Sequence, residues 1–166
     1  MKENTLKTLY FSFVYPYLHY GIIAWGSTTA NYLNPLQIIQ KRVIRILSSA
    51  SRIAHTAPLF KKLGLLRIKD IYILNVMLFM FKLKHAMLPV IFNSMFILNK
   101  NIHTYFTRQM GDYHIPAWRL QTRKRSICVQ GPLIWNKLIE KFNIEVMITT
   151  FKFKVKRFLI ENEVHL

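Results

Sequence analysis

The residues of this chain that could do chemistry are its cations. Residues 119–137 read RLQTRKRSICVQGPLIWNK, and the first half of that stretch carries Arg119, Arg123, Lys124 and Arg125 with no acid among them. Guanidinium and ammonium groups gathered in this way attract phosphate oxygens. Such contact needs charge and reach but no base-reading geometry, so the chemistry implied is sequence-independent binding of nucleic acid. Lys41, Arg42 and Arg45 form a second group, Lys61, Lys62 and Arg67 a third, and Lys152, Lys154, Lys156 and Arg157 a fourth. The first two groups, Arg119, Arg123, Lys124 and Arg125 with Lys41, Arg42 and Arg45, are the candidate nucleic-acid contacts. Tyr105, Tyr113 and Trp118 lie near the 119–125 run and offer faces on which bases or sugars can stack. The competing reading of that run is a solvated edge strand whose charges discourage edge-to-edge association.

Groups for bond-making chemistry do not assemble in the same way. The six histidines are scattered singly, and none stands at metal-ligand spacing from another His or from the single cysteine. The seven acids are too few and too dispersed for a two-metal site. Asp70 fits the opening turn of a helix, and Asp112 a turn beside Gly111. Neither a glycine-rich phosphate loop nor a nucleophile elbow is present. Cys128 excludes an internal disulfide, suits a reducing compartment and reads as a small core residue. The expectation is therefore no enzyme as an isolated chain, with no catalytic residue, no metal and no cofactor.

The elements that must position the cations read as helices nearly throughout. Thr5 to Trp25 is aromatic on almost every face, with Pro16 as a kink and Gly26 as a stop. Asn34-Pro35 offers a cap and first-turn proline for a second helix, whose start could lie a turn earlier. Leu36, Ile39, Val43, Ile46 and Leu47 give that helix a core stripe. A short helix follows from Thr56 to Gly64, then a densely apolar one from about Ile68 to Ala86, and one turn over Val90–Met95. Asn99–Gly111 lacks periodicity and reads as an extended connector. Alternation along Arg119, Gln121, Arg123 and Arg125 predicts a strand over Arg119–Val129, broken by Gly131-Pro132. A helix from Pro132 to Phe142 then packs through Leu133, Trp135 and Leu138, and a last one from Thr149 or Thr150 to Glu161 buries Phe151, Val155, Phe158 and Leu159. The expected class is mainly α, a helical bundle with a small β-ribbon in the C-terminal third.

Bulk composition agrees with a folded, polyanion-seeking domain. The 166 residues are 52% hydrophobic, enough for a sizeable core, and 24 Lys and Arg against 7 Asp and Glu leave a formal charge of +17. A free-standing domain so charged repels itself and needs a polyanion nearby, either nucleic acid or an anionic membrane surface. No Lys, Arg, Asp or Glu lies between Lys7 and Lys41, yet Tyr15, Tyr17, His19 and Tyr20 would fall at a bilayer centre, and Pro16 would kink the span. That segment reads as a core helix rather than a cleaved signal or a membrane span. A small membrane-associated protein built on the apolar N-terminal half is the alternative.

Taken in order, LKTLYFSFVYPYLHYGIIAWG, LQIIQKRVIRIL, APLFKKLGLLRIKDI, HTYFTR, RKRSICVQGPLIWNKL and FKFKVKRFLI resemble the thumb and post-thumb region of reverse transcriptases of non-LTR retrotransposons, of the jockey and LINE kind. The resemblance covers nearly the whole chain. It implies a piece of an RNA-directed DNA polymerase whose thumb grips the template–primer duplex. It also implies two parts, a helical thumb-like region over 1–98 and a basic ribbon with C-terminal helices over 99–166, packed as one unit. The adjacent acid pair of the family's palm has no counterpart here, so polymerase catalysis is carried over to no residue, and a truncated piece lacking its palm is expected. The partners implied are RNA–DNA or DNA duplex and the missing palm, with self-association through uncovered apolar surface and no membrane. An intracellular place, nuclear or cytoplasmic, follows.

Overall fold

The computed structural model describes residues 3–102 and 108–162. The chain is mainly helical, as its periodicity predicts: α1 (Glu3–Phe13), α2 (Tyr15–His19), α3 (Ile22–Trp25), α4 (Ala30–Leu47), α5 (Thr56–Leu63), α6 (Ile68–Lys84), α7 (Gln121–Lys124), α8 (Ile127–Leu138) and α9 (Ile148–Glu161). Short 3-10 turns lie at Val90–Ser94, Asn99–Asn101 and Ile139–Lys141. Strand pairing among the described residues is one isolated antiparallel bridge, Leu98 with Tyr113. Contacts divide the chain into two compact units. One is the chain up to Tyr72 together with the end of α9 from Lys156; the other is Ile73–Val155.

In the first unit the expected single helix over Thr5–Trp25 is three pieces. Pro16 has no N–H to continue the ladder and takes the first turn of α2, and Gly21 turns the chain at φ 59° before α3. The Trp25 indole N–H donates to the Tyr20 carbonyl at 2.8 Å and so satisfies one acceptor freed by the break. Gly26 follows α3 as expected, but at an ordinary φ of −67°. What demands glycine there is space: a Cβ would lie 2.5 Å from Tyr72 Cδ2 and 2.6 Å from the Ile22 carbonyl oxygen.

Helix α4 begins at Ala30, and Pro35 lies in its second turn, where it costs the bond to the Asn31 carbonyl. The core stripe differs from the expected one. Leu33, Gln40, Ile44 and Leu47 are buried, whereas Ile39 and Ile46 face solvent, Ile46 at 71% exposure. Around Ile44 and Leu47 gather Tyr10, Phe60, Leu63 and Leu65. Gln40 is fully engaged in this apolar setting. Its Nε2 donates to Tyr10 Oη at 3.1 Å and to the Leu66 carbonyl at 2.9 Å, and its Oε1 accepts the Ile68 N–H at 3.1 Å. One amide thus ties α1 and α4 to the start of α6, and it supplies a partner for a helix-start donor that would otherwise be orphaned. Burial pushes the Tyr10 phenol above its usual pKa, against the opposing pull of the Gln40 bond.

Helices α4, α5 and α6 all close through the same pair of bonds, one reaching back three residues and the next reaching back five. Ser49 N–H reaches the Ile46 carbonyl and Ala50 the Arg45 carbonyl; Gly64 reaches Lys61 and Leu65 reaches Phe60; Ala86 reaches Leu83 and Met87 reaches Lys82. The pivot residue has positive φ each time, 48° at Ser49, 66° at Gly64 and 53° at Ala86. At the other end of α6, Asp70 lies in the first turn as expected, and its Oδ2 accepts the Arg67 N–H at 3.4 Å.

In the second unit the core is aromatic and sulfur-rich. Met77, Met80 and Phe81 of α6, Val129, Ile134, Trp135 and Leu138 of α8, and Phe151 and Val155 of α9 are buried. Phe81 stacks on Phe151 with centroids 4.5 Å apart. Trp135 meets Phe151 at 6.2 Å and Tyr113 edge-on at 6.5 Å. Asn136 clamps the backbone of Tyr113 from both sides: its Oδ1 accepts the Tyr113 N–H at 3.1 Å, and its Nδ2 donates to the Tyr113 carbonyl at 2.8 Å.

The expected strand over Arg119–Val129 is a correction. Gln121–Lys124 is a helical turn and Ile127–Leu138 a helix. Ser126 holds the N-cap position of α8 in extended conformation, so α8 starts a turn ahead of Gly131-Pro132 instead of after it. Pro132 is carried inside the helix at the cost of one bond, to the Cys128 carbonyl. Gly131 is needed for close approach, since a Cβ there would stand 2.9 Å from Met80 Sδ and 3.3 Å from Phe96 Cε1. Part of the extended connector expected over Asn99–Gly111, residues 103–107, lies outside the described residues; Asn99–Asn101 is a 3-10 turn.

Candidate nucleic-acid interface

The seven candidate cations fall in two places, one in each compact unit. Lys41, Arg42 and Arg45 project from α4 in the first unit, whereas Arg119, Arg123, Lys124 and Arg125 surround α7 in the second.

On α4, Lys41 and Arg42 are exposed. Arg45 is half-buried and committed in part to the fold: its Nε donates to the Ala54 carbonyl at 3.0 Å and pins the loop after α4. Arg42 shares its helix face with Ile39 and Ile46, at three- and four-residue spacing, and both isoleucines are exposed. The outward side of α4 is therefore as apolar as it is basic, which the expected core stripe had concealed.

Around α7 the cations are more concentrated. Arg119, Arg123 and Lys124 are exposed, and Arg125 is half-buried at the C-cap. The backbone that carries them is fixed by side chains from just beyond: Ser126 Oγ donates to the Arg123 carbonyl at 2.7 Å, and Gln130 Nε2 to the Lys124 carbonyl at 2.8 Å. No acid occurs between Asp112 and Glu140, so the segment carries undiluted positive charge. The Lys124 ammonium lies 5.8 Å from the Trp118 ring centroid, a cation–π contact, and Trp118 is 37% exposed. Leu120, between Arg119 and α7, is 68% exposed and was not singled out in the sequence.

The aromatic candidates sort differently from expectation. Tyr113 is buried against Phe96 and Trp135, with its phenol pushed above its usual pKa by that burial, and serves the core. Tyr105 lies outside the described residues. Trp118 stands at the surface among the cations. The fourth basic group is spread: Lys152 and Lys154 are exposed, Lys156 sets its ammonium 5.9 Å from the Phe11 ring centroid, and Arg157 pairs with Glu161 at 2.9 Å.

Among the described residues, no three of His, Cys, Asp and Glu converge as metal ligands, and no helix is long and apolar enough to cross a membrane. Asp112 has its carboxyl pKa raised by burial first and by Glu140 second. Comparison of the chain with family models, with curated proteins and with solved structures finds no match.

Proposed function

We propose that this chain binds nucleic acid without reading its sequence, as a thumb-like piece of an RNA-directed DNA polymerase, and that the surface around α7 makes the main contact. The reading is supported above all by one observation: Arg119, Arg123 and Lys124 stand exposed on a backbone braced by Ser126 and Gln130, in a segment without acids. Phosphates are the groups such a surface attracts, and the formal charge of +17 adds a long-range pull toward any polyanion. In this reading the chain holds template and primer beside a catalytic palm supplied elsewhere, and it performs no bond-making step of its own.

Salt dependence tests it. With four to six phosphates neutralised, log affinity for duplex RNA–DNA or DNA should fall against log salt with a slope of about −4 to −5. Replacing Arg119, Arg123 and Lys124 with Gln should flatten that slope by roughly two to three units and leave sequence preference unchanged. Lys82, Lys152 and Lys154, also exposed, are the matched control for lost charge. Equal weakening by both triples would reduce the effect to bulk charge and overturn the assignment of the site.

The same reading gives the first unit a role. Leu9 and Phe13 of α1, Tyr17 of α2 and Tyr20 just after it stand exposed, Tyr17 at 82%. Large exposed side chains gathered in this way often mark a contact surface, and in this reading they face the palm. Without that partner the chain should self-associate. Sedimentation at a concentration on the order of tens of micromolar should show dimers or larger species at moderate salt. A clean monomer would overturn this part.

A further inference from the structure

We propose that the surface around α7 takes an unpaired nucleotide, its base stacked on Trp118 and its flanking phosphates held by Arg119, Arg123 and Lys124. The inference rests on the nucleic-acid reading above and goes beyond it, because that reading requires only duplex phosphates.

Phosphate contact accounts for the cations alone. It does not account for the apolar groups set among them. Trp118 is 37% exposed and Leu120 68% exposed, and these two flank Arg119 directly in the chain, with Arg123 and Lys124 in the helical turn that follows. A double helix presents phosphates and groove edges to such a surface, while its base faces are covered by their neighbours in the stack. An unpaired base presents its flat apolar face, and an indole is a good platform for it whatever the base, since every base has a π-face.

The local geometry suits this occupant in two further ways. Lys124 is held near the Trp118 ring at 5.8 Å, so the aromatic surface and a phosphate-seeking ammonium are already side by side before any ligand arrives. As an exposed side chain on a fixed backbone, Lys124 can turn from the ring to a phosphate without disturbing α7. The braces from Ser126 and Gln130 keep the turn in place and reduce the ordering cost of binding. The other aromatic near the site, Tyr113, is buried and clamped by Asn136, which leaves the stacking role to Trp118 among the described residues.

The experiment compares the full chain and its variants on two fluorescent ligands, a single-stranded oligonucleotide of about 12 nucleotides, within the usual site size, and a blunt-ended, fully paired duplex of about 12 base pairs. Anisotropy titrations at several salt concentrations give affinity and slope for each. Trp118→Ala should weaken single-strand binding by about five- to a hundredfold with the slope unchanged, and leave duplex binding within about twofold. Trp118→Phe should recover most of the loss, and Arg123→Gln should flatten the slope on both ligands. If Arg123→Gln flattens the slopes but Trp118→Ala affects neither ligand, or both equally, the stacking inference is overturned and the phosphate reading stands. If neither ligand shows a salt-dependent affinity that these arginines govern, both are overturned. Unchanged far-ultraviolet circular dichroism and melting temperature in Trp118→Ala and Trp118→Phe show that the folded chain is being compared.

Discussion

Trp135→Ala should cost about 3–5 kcal/mol of stability, the range for removing a fully buried aromatic. Trp135 is 3% exposed, and its ring meets both Tyr113 and Phe151, so its loss empties the middle of the second unit's core instead of trimming an edge. For a chain of this size the melting temperature should fall by roughly 10–15 °C. Trp135→Phe should recover part of the loss, because it keeps an aromatic face toward Phe151. A melting temperature unchanged by the alanine substitution would show that the indole is not a core group.

The second large effect is expected at Gln40. Gln40→Leu keeps much of the side-chain volume but leaves the Ile68 N–H, the Leu66 carbonyl and the Tyr10 hydroxyl without their shared partner. Each buried polar group left unpaired costs about 1–3 kcal/mol, so a total of about 3–5 kcal/mol is expected. Gln37, one turn earlier on α4, is the internal comparison, since its buried Nε2 has no hydrogen-bond partner among the described residues. Gln37→Leu should therefore be close to neutral. Denaturant unfolding reads both costs, and faster amide hydrogen exchange at Ile68 in the Gln40 variant alone would locate the defect. Equal costs for the two substitutions would refute the account of Gln40 as a three-way tie.

What the sequence reveals and hides here follows from where each signal resides. Helices α5 and α6 were legible because their signals are local: a Thr-Ala-Pro start, Gly64 as a left-handed stop, and unbroken apolar runs. The ends at Ser49 and Ala86 use the same turn without glycine; the close of the apolar run marked the second, while nothing in the composition marked the first. On α4, periodicity allowed two stripes. It could not favour the one containing Gln40, since that amide finds its partners in Leu66 and Ile68, far along the chain. At Arg119–Arg125 a spacing of two imitated strand alternation, although Arg119 and Arg123 also lie one helical turn apart. The Ser126 cap position was the clue that favoured a helix. For the candidate site, charge was legible and exposure was not. Nothing in the letters separated the buried Tyr113 from the exposed Trp118, and only tertiary packing does.

The first unit is assembled from two stretches separated by the whole of the second, with Tyr72 ending one and Lys156 opening the other. On a ribosome adding about 5–20 residues each second, the earlier stretch waits on the order of ten seconds for the later one. Throughout that delay Phe11 lacks the Lys156 ammonium that lies near its ring in the folded chain. The order of synthesis therefore separates two stretches that the fold brings together, and the contact of α1 with Lys156 cannot form until α9 has been made.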